Sequence, residues 1–138
     1  MTQEDKELLL KDLCARLPYG VKVESVFINT DTKKRKSCGI EVFDATCILM
    51  IRDGFGEFKP YLFPLSSMTK KQQKEANVFD DMDIKILTEN LGENYRNKTN
   101  IPTATYNYID WLNKNHFDYR GLIEKGLAID ATGLNIYR

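Results

Sequence analysis

The chain has 138 residues, of which 42% are hydrophobic and 29% are charged. This length and composition exclude an intrinsically disordered chain and are typical of one globular domain, so we assign residues 1–138 to a single domain. Its 20 basic residues balance its 20 acidic residues, which disfavours nucleic acid as a partner because proteins that bind phosphates usually carry a basic surplus.

The N-terminal residues predict an amphipathic helix. Thr2 is a suitable N-cap, and Pro18 and Gly20 mark the end of the helix. Asp12 and Arg16 are expected to face away from the apolar stripe. The predicted stripe consists of Leu10, Leu13, Cys14 and Leu17.

The N-terminus also bears on localisation. The polar and acidic start is unlike a secretory signal, and the longest apolar run, Cys47–Ile51, is too short to span a membrane. We therefore expect a cytoplasmic protein without membrane contact.

After the helix, the hydrophobic period changes from that of a helix to that of a strand. Val21, Val23 and Phe27 alternate with polar residues, which indicates a half-buried strand. The polar stretch that follows is interpreted as a hairpin loop, and Asp53 and Gly54 as a tight turn. The predicted strands lie at about residues 21–29, 38–43, 45–52 and 55–58. They indicate a small antiparallel sheet or SH3-like barrel over about residues 21–65.

The remainder of the chain is predicted to be mainly helical. Thr69 precedes residues of good helix propensity, which indicates a short exposed helix. An apolar face that includes Tyr108 and Leu112 predicts a longer helix ending at Asn115 and His116, and Asp118 is expected to cap a second helix. Residues 77–102 are left unassigned. The expected fold class is α+β, with the sheet flanked by an N-terminal helix and a C-terminal helical hairpin.

The pattern of reactive residues predicts no catalytic residue, metal ligand or cofactor. His116, the one histidine, is interpreted as a helix C-terminal residue. The acidic run Asp80–Asp83 with Glu89 lacks the glycine and the terminal glutamate of a calcium loop, and is typical of a solvated loop. The three cysteines are expected to be reduced and mostly buried; they are Cys14, Cys38 and Cys47. We expect a protein that is not an enzyme.

Two segments are candidates for binding. The first is a basic run at the predicted hairpin tip, which would contact phosphates or acidic side chains, or else is a solvated turn that discourages edge pairing. It consists of Lys33, Lys34, Arg35 and Lys36. The second is a segment in which aromatic and basic residues interleave, as in surfaces that stack on single-stranded nucleic acid, although the same spacing suits the core of a barrel. It contains Phe55, Phe58, Lys59 and Tyr61.

Three blocks of sequence resemble a known group of proteins. The blocks Lys11–Val21, Lys59–Thr69 and Trp111–Ile123 are similar to small uncharacterised proteins of gut Bacteroidetes genomes, often in prophage or other mobile segments. The resemblance covers well under half of the chain and carries over no functional residue. It implies an accessory protein of a phage or mobile element, and such proteins commonly act by binding. The main hypothesis is therefore a non-enzymatic protein that binds another protein; the alternative is a nucleic-acid-binding accessory factor that uses the basic tip and residues 55–63.

Overall fold

The computed structural model describes residues 2–76 and 103–137. These ranges contain α-helices and one small mixed sheet, which confirms the α+β class. The helices are α1 (Gln3–Arg16), α2 (Ala45–Asp53), α3 (Lys70–Glu75) and α4 (Thr103–Lys114). The strands are β1 (Lys22–Ile28), β2 (Arg35–Val42), β3 (Gly56–Pro64), β4 (Phe117–Asp118) and β5 (Ile129–Asp130). None of these helices is both long enough and apolar enough to cross a membrane.

The sheet has the order β2-β1-β3-β4, and β5 pairs with β3 off this path. β1 runs antiparallel to β2 and β3, whereas β4 and β5 run parallel to β3. The sheet is therefore mixed rather than wholly antiparallel as predicted. Within the described ranges β2 and β4 lie at opposite ends and no pairing joins them, so the predicted barrel is not confirmed.

Two clusters of buried side chains form the core. Val23 and Ser25 of β1 point to the buried face of the sheet, where α1, α2 and the C-terminal turns cover it. The larger cluster comprises Leu9, Leu13, Val21, Val23, Phe43, Cys47, Phe58, Leu62, Leu122, Leu127 and Ala128. The smaller one joins α4 to the end of β3 and comprises Met68, Ala76, Tyr108, Leu112, Phe117 and Tyr119.

Helix α1 begins where the sequence predicts but is rotated about its axis. Thr2 caps it as expected, since its hydroxyl accepts a hydrogen bond from the backbone N–H of Asp5 at 3.1 Å. The predicted stripe is only partly correct: Leu13 is buried, but Cys14 is exposed. Asp12 and Arg16, which the sequence predicts to face away from the core, are buried together with Leu9. Two charged side chains occupy the core face because they neutralise each other there.

Helix α2 replaces the third predicted strand. The Asp44 carboxylate accepts a hydrogen bond from the N–H of Cys47 at 3.1 Å, which begins the helix. Gly54 ends it with φ of 78°, in the left-handed region that favours glycine. The apolar run between these residues suits a buried strand and a short helix equally, so its caps decide the structure. The predicted turn at Asp53 and Gly54 is therefore the end of a helix.

The predicted C-terminal helical hairpin is wrong in its second half. Helix α4 forms and ends before His116 as expected, but residues 122–126 are turns. Gly121 and Gly126 both have φ of 74°, which interrupts a right-handed helix at each end of this short segment. Asp118 caps a turn instead of a helix, because its carboxylate accepts hydrogen bonds from the N–H groups of Leu122 and Ile123. The acidic run Asp80–Asp83 and Glu89 lies outside the described residues.

Candidate functional site

Strand β2 is the most exposed helix or strand of the described chain, and its outer edge is open. All eight residues of this strand are exposed, and the strand lies at one end of the sheet. Ile40 and Val42 are opposite Glu24 and Lys22 on β1, and therefore share the face that points away from the core. Their side chains are 52% and 51% exposed, so two neighbouring aliphatic side chains on this face contact solvent.

The predicted basic run is divided between the hairpin turn and this strand. Lys33 and Lys34 lie in the turn, where Lys33 has φ of 62°, and Arg35 and Lys36 begin β2. Arg35 is already paired with Glu57 on β3, and its hydrogen bonds hold the pKa of the Glu57 carboxyl below its usual range. The turn and the start of β2 therefore present three exposed lysines without an ion pair among the described residues.

The aromatic candidates do not form one surface. Phe55, immediately before β3, is 40% exposed, and Lys59 is exposed on the strand. Phe58 is only 2% exposed and packs edge-to-face on Phe43 with ring centroids 6.0 Å apart. Tyr61 is also buried. Burial leaves the rings of Phe58 and Tyr61 inaccessible to a nucleic-acid base.

A network of buried polar groups joins α1 to the C-terminal turns. The Arg16 Nε donates to Asp12 Oδ2 at 2.8 Å, and its Nη2 donates to the Phe117 carbonyl at 2.6 Å. Arg120 Nε also donates to Asp12 Oδ1, at 3.2 Å. Tyr119 lies beneath both guanidinium groups, 5.4 and 4.9 Å from its ring centre. Every charge of this network is paired or stacked, so its hydrogen bonds join α1 to the C-terminal turns without leaving an isolated buried charge.

His116 and Tyr137 are a second pair that the sequence reasoning did not bring together. Their rings stack with centroids 3.8 Å apart and planes 13° from parallel. The Lys22 N–H donates to the Tyr137 hydroxyl at 2.8 Å, and that hydroxyl donates to the Tyr61 carbonyl at 2.8 Å. Burial, together with the charges of Arg16 and Lys22, lowers the pKa of His116 to about 4, so the imidazole is neutral at pH 7. No spacing in the sequence links position 137 to these partners.

The cysteines are less buried than predicted. Cys14 and Cys38 are exposed, and only Cys47 is buried; all three are free thiols. Burial raises the pKa of the Cys47 thiol to about 11, which disfavours its thiolate at neutral pH. Within residues 2–76 and 103–137, no three side chains of the histidine, cysteine, aspartate and glutamate types converge as metal ligands.

Comparisons of the chain with protein-family models, with curated proteins and with solved structures find no match.

Proposed function

We propose that the chain is a non-enzymatic, cytoplasmic accessory protein that binds another protein through the outer edge of β2. One observation carries this proposal: the strand is exposed along its whole length and presents Ile40 and Val42, each about half exposed, at an open end of the sheet. An exposed strand edge is the standard template for an added strand from a partner.

The backbone geometry of β2 supports strand addition. The N–H of Phe43 donates to the Val21 carbonyl at 2.9 Å, so Phe43 turns its backbone groups toward β1. Because these groups alternate in direction along an antiparallel strand, those of Val42 and Ile40 turn outward. Both residues therefore present backbone donors and acceptors and an apolar side chain to the same partner.

The charges near this edge indicate what the partner strand contains. The lysines at positions 33, 34 and 36 are exposed at the turn end of β2. The partner is an extended segment with apolar residues over Ile40 and Val42 and acidic residues toward the turn. The resemblance to proteins of Bacteroidetes mobile elements supports an accessory role of this kind.

The alternative, a nucleic-acid-binding factor, has narrower support. The exposed Lys33 and Lys34 favour contact with phosphates, but Phe58 and Tyr61 are buried and two of the proposed stacking rings are lost with them. Binding of this type depends steeply on salt. Titration of labelled single- and double-stranded DNA and RNA at low and moderate salt, with K33E/K34E as the variant, tests it directly.

The protein-binding proposal is tested with Ile40→Lys/Val42→Lys, which places charges on the outer edge and preserves the β1–β2 hydrogen bonds. The matched control is Leu49→Lys on helix α2, because Leu49 is equally apolar and 49% exposed. Circular dichroism and urea unfolding first test whether both variants are folded. Each tagged protein is then used to purify partners from cells that naturally contain the chain.

We expect one protein to co-purify with the wild type and with Leu49→Lys and to be lost with Ile40→Lys/Val42→Lys. Calorimetry with the purified partner should then show similar affinities for the wild type and Leu49→Lys and a much lower affinity for Ile40→Lys/Val42→Lys. If the partner is retained by the edge variant, or is lost equally with Leu49→Lys, β2 is not the binding surface. If salt-dependent nucleic-acid binding is found and is abolished by K33E/K34E, the alternative function replaces this one.

A further inference from the structure

A cavity of about 710 Å³ lies beside the His116–Tyr137 pair. Its volume is within the range of sites for small organic ligands, roughly 300 to 1,000 Å³. Segments far apart in the sequence meet there: Tyr19 and Gly20 after α1, Lys22 on β1, the end of β3, the start of α3, the end of α4, and the turn at Thr132 and Gly133.

The charges of this cavity have one sign. Among its described lining residues only Lys22 and Lys114 are charged, and both are basic. The Lys22 ammonium donates to the Ile136 carbonyl at 2.9 Å and retains two further N–H donors. Lys114, at the last position of α4, is exposed. Two cations without a lining carboxylate favour an anionic ligand.

The remainder of the wall is aromatic and hydrogen-bonding. Phe63, Phe117 and Tyr137 contribute rings, and the ring pairs Phe63–Phe117 and Phe63–Tyr137 are 6.0 and 5.9 Å apart, so these rings form a continuous apolar wall. Gln72 contributes a side-chain amide whose oxygen is used by the N–H of Thr69 and whose nitrogen has no described partner. An apolar wall with a few polar groups is typical of a site for an organic molecule rather than for a bare inorganic ion.

His116 is the unusual residue of the wall. Its imidazole is only 8% exposed, and its Nδ1 is buried with no hydrogen-bond partner within the described part of the chain. Its backbone has φ of 63°, and its carbonyl accepts a hydrogen bond from the N–H of Phe63 at 2.8 Å, which fixes this conformation. A buried imidazole nitrogen without a hydrogen-bond partner, close to the charges of Arg16 and Lys22, is a polar group that a ligand could satisfy.

We propose that this cavity binds a small organic anion that carries a carboxylate or phosphate beside Lys22 and Lys114 and an apolar ring against Phe63 and Tyr137. His116 forms the wall nearest the bound ring. Lys22, which lines this cavity, is the cross-strand neighbour of Val42. The test therefore changes Lys114 and observes His116, neither of which belongs to β2.

The experiment uses His116 as a reporter. Because the chain has one histidine, an untagged ¹⁵N-labelled sample gives one set of imidazole signals in a proton–nitrogen NMR spectrum. The probes are phenyl phosphate, which has both a ring and an anionic group, inorganic phosphate, which has only the anion, and benzyl alcohol, which has only the ring. Lys114→Gln is the test variant, and Lys125→Gln is the control because Lys125 is exposed and does not line the cavity.

We expect phenyl phosphate to shift the His116 signals saturably and to bind more tightly than either other probe. Lys114→Gln should weaken this binding by about fivefold, since an exposed ion pair contributes a factor of this size, and Lys125→Gln should leave it unchanged. No saturable shift with any probe would overturn the site. If benzyl alcohol binds as tightly as phenyl phosphate, the ligand need not be an anion. If inorganic phosphate binds as tightly as phenyl phosphate, the ligand need not be organic. If Lys114→Gln and Lys125→Gln weaken binding equally, the charge acts non-specifically and the site is overturned.

Discussion

Asp12 and Arg16 form an ion pair one turn apart on α1, and both side chains are completely buried, with 2.8 Å between Arg16 Nε and Asp12 Oδ2. Arg16 also donates to the backbone carbonyl of Phe117, and Arg120 provides Asp12 with a second cation. The pair therefore joins the N-terminal helix to the segment that follows α4. The effect of this pair on stability depends on both partners being present, because a buried charge that loses its partner is strongly destabilising.

Replacing Arg16 with Met should lower the free energy of unfolding by about 3 to 5 kcal/mol, since Asp12 would remain buried with only Arg120 beside it. Urea unfolding at neutral pH measures this loss. The control is Arg52→Met, which breaks the exposed pair of Arg52 with Asp53. We expect the control to cost much less, because an ion pair in contact with solvent contributes little to stability. Equal losses in the two variants would show that burial does not govern the pair.

Lowering the pH should destabilise the protein through His116. The pKa of this residue is about 4 in the folded chain, against 6.5 for an unperturbed histidine. Above pH 6.5 neither state is protonated and the effect is absent. Between pH 6.5 and 4 the unfolded state takes up a proton that the folded state does not, so stability falls as the pH falls, by up to about 3 kcal/mol.

The variant His116→Asn isolates this effect from the titration of carboxylates. Asparagine tolerates the left-handed backbone found at this position, with φ of 63°, and does not titrate. The difference in unfolding free energy between wild type and variant, measured from pH 4 to pH 7.5, should change mainly below pH 6.5. A difference independent of pH would mean that His116 is protonated in the folded chain as readily as in the unfolded chain.

Features encoded by neighbouring residues were predictable from the sequence. The caps at Thr2 and Thr69 each form a reciprocal box with the third helical residue, Asp5 and Gln72, and both helices begin there. The alternation in β1 likewise reflects one buried face. These features can be recognised in a single sequence because the residues involved are close together. The partners in each capping box are three residues apart, and the buried residues of the strand are two residues apart.

Features that depend on distant partners were not predictable. The burial of Arg16 depends in part on the Phe117 carbonyl, 101 residues along the chain, which accepts a hydrogen bond from its guanidinium group. The charge of Arg35 suggested a binding residue, but the register of β1 with β2 and β3 places it beside Glu57. The cavity beside His116 is formed by several separate segments and has no local signature at all.

The turn after β4 should depend on Asp118. Its carboxylate accepts hydrogen bonds from the backbone N–H groups of Leu122 and Ile123, each at 3.0 Å, and from that of Arg120 at 3.3 Å. Asp118→Ala leaves these donors unpaired near the core and should lower the free energy of unfolding by about 2 to 3 kcal/mol. The control is Asp130→Ala, because Asp130 is exposed and accepts a hydrogen bond from the N–H of Thr132, which is itself exposed. Similar losses for both would contradict a role for burial in this turn.

The three thiols should differ in reactivity according to their burial. At pH 8 the exposed Cys14 and Cys38 should react with a disulfide reagent within minutes, whereas Cys47 should react only after unfolding, because it is buried and its pKa is raised to about 11. Counting the released chromophore before and after addition of denaturant measures this difference. Cys14→Ser and Cys38→Ser should each remove one fast thiol, and Cys47→Ser should remove the slow one. If Cys47 reacts in the native protein as fast as in denaturant, helix α2 opens readily and its packing against the sheet is weaker than the structure indicates.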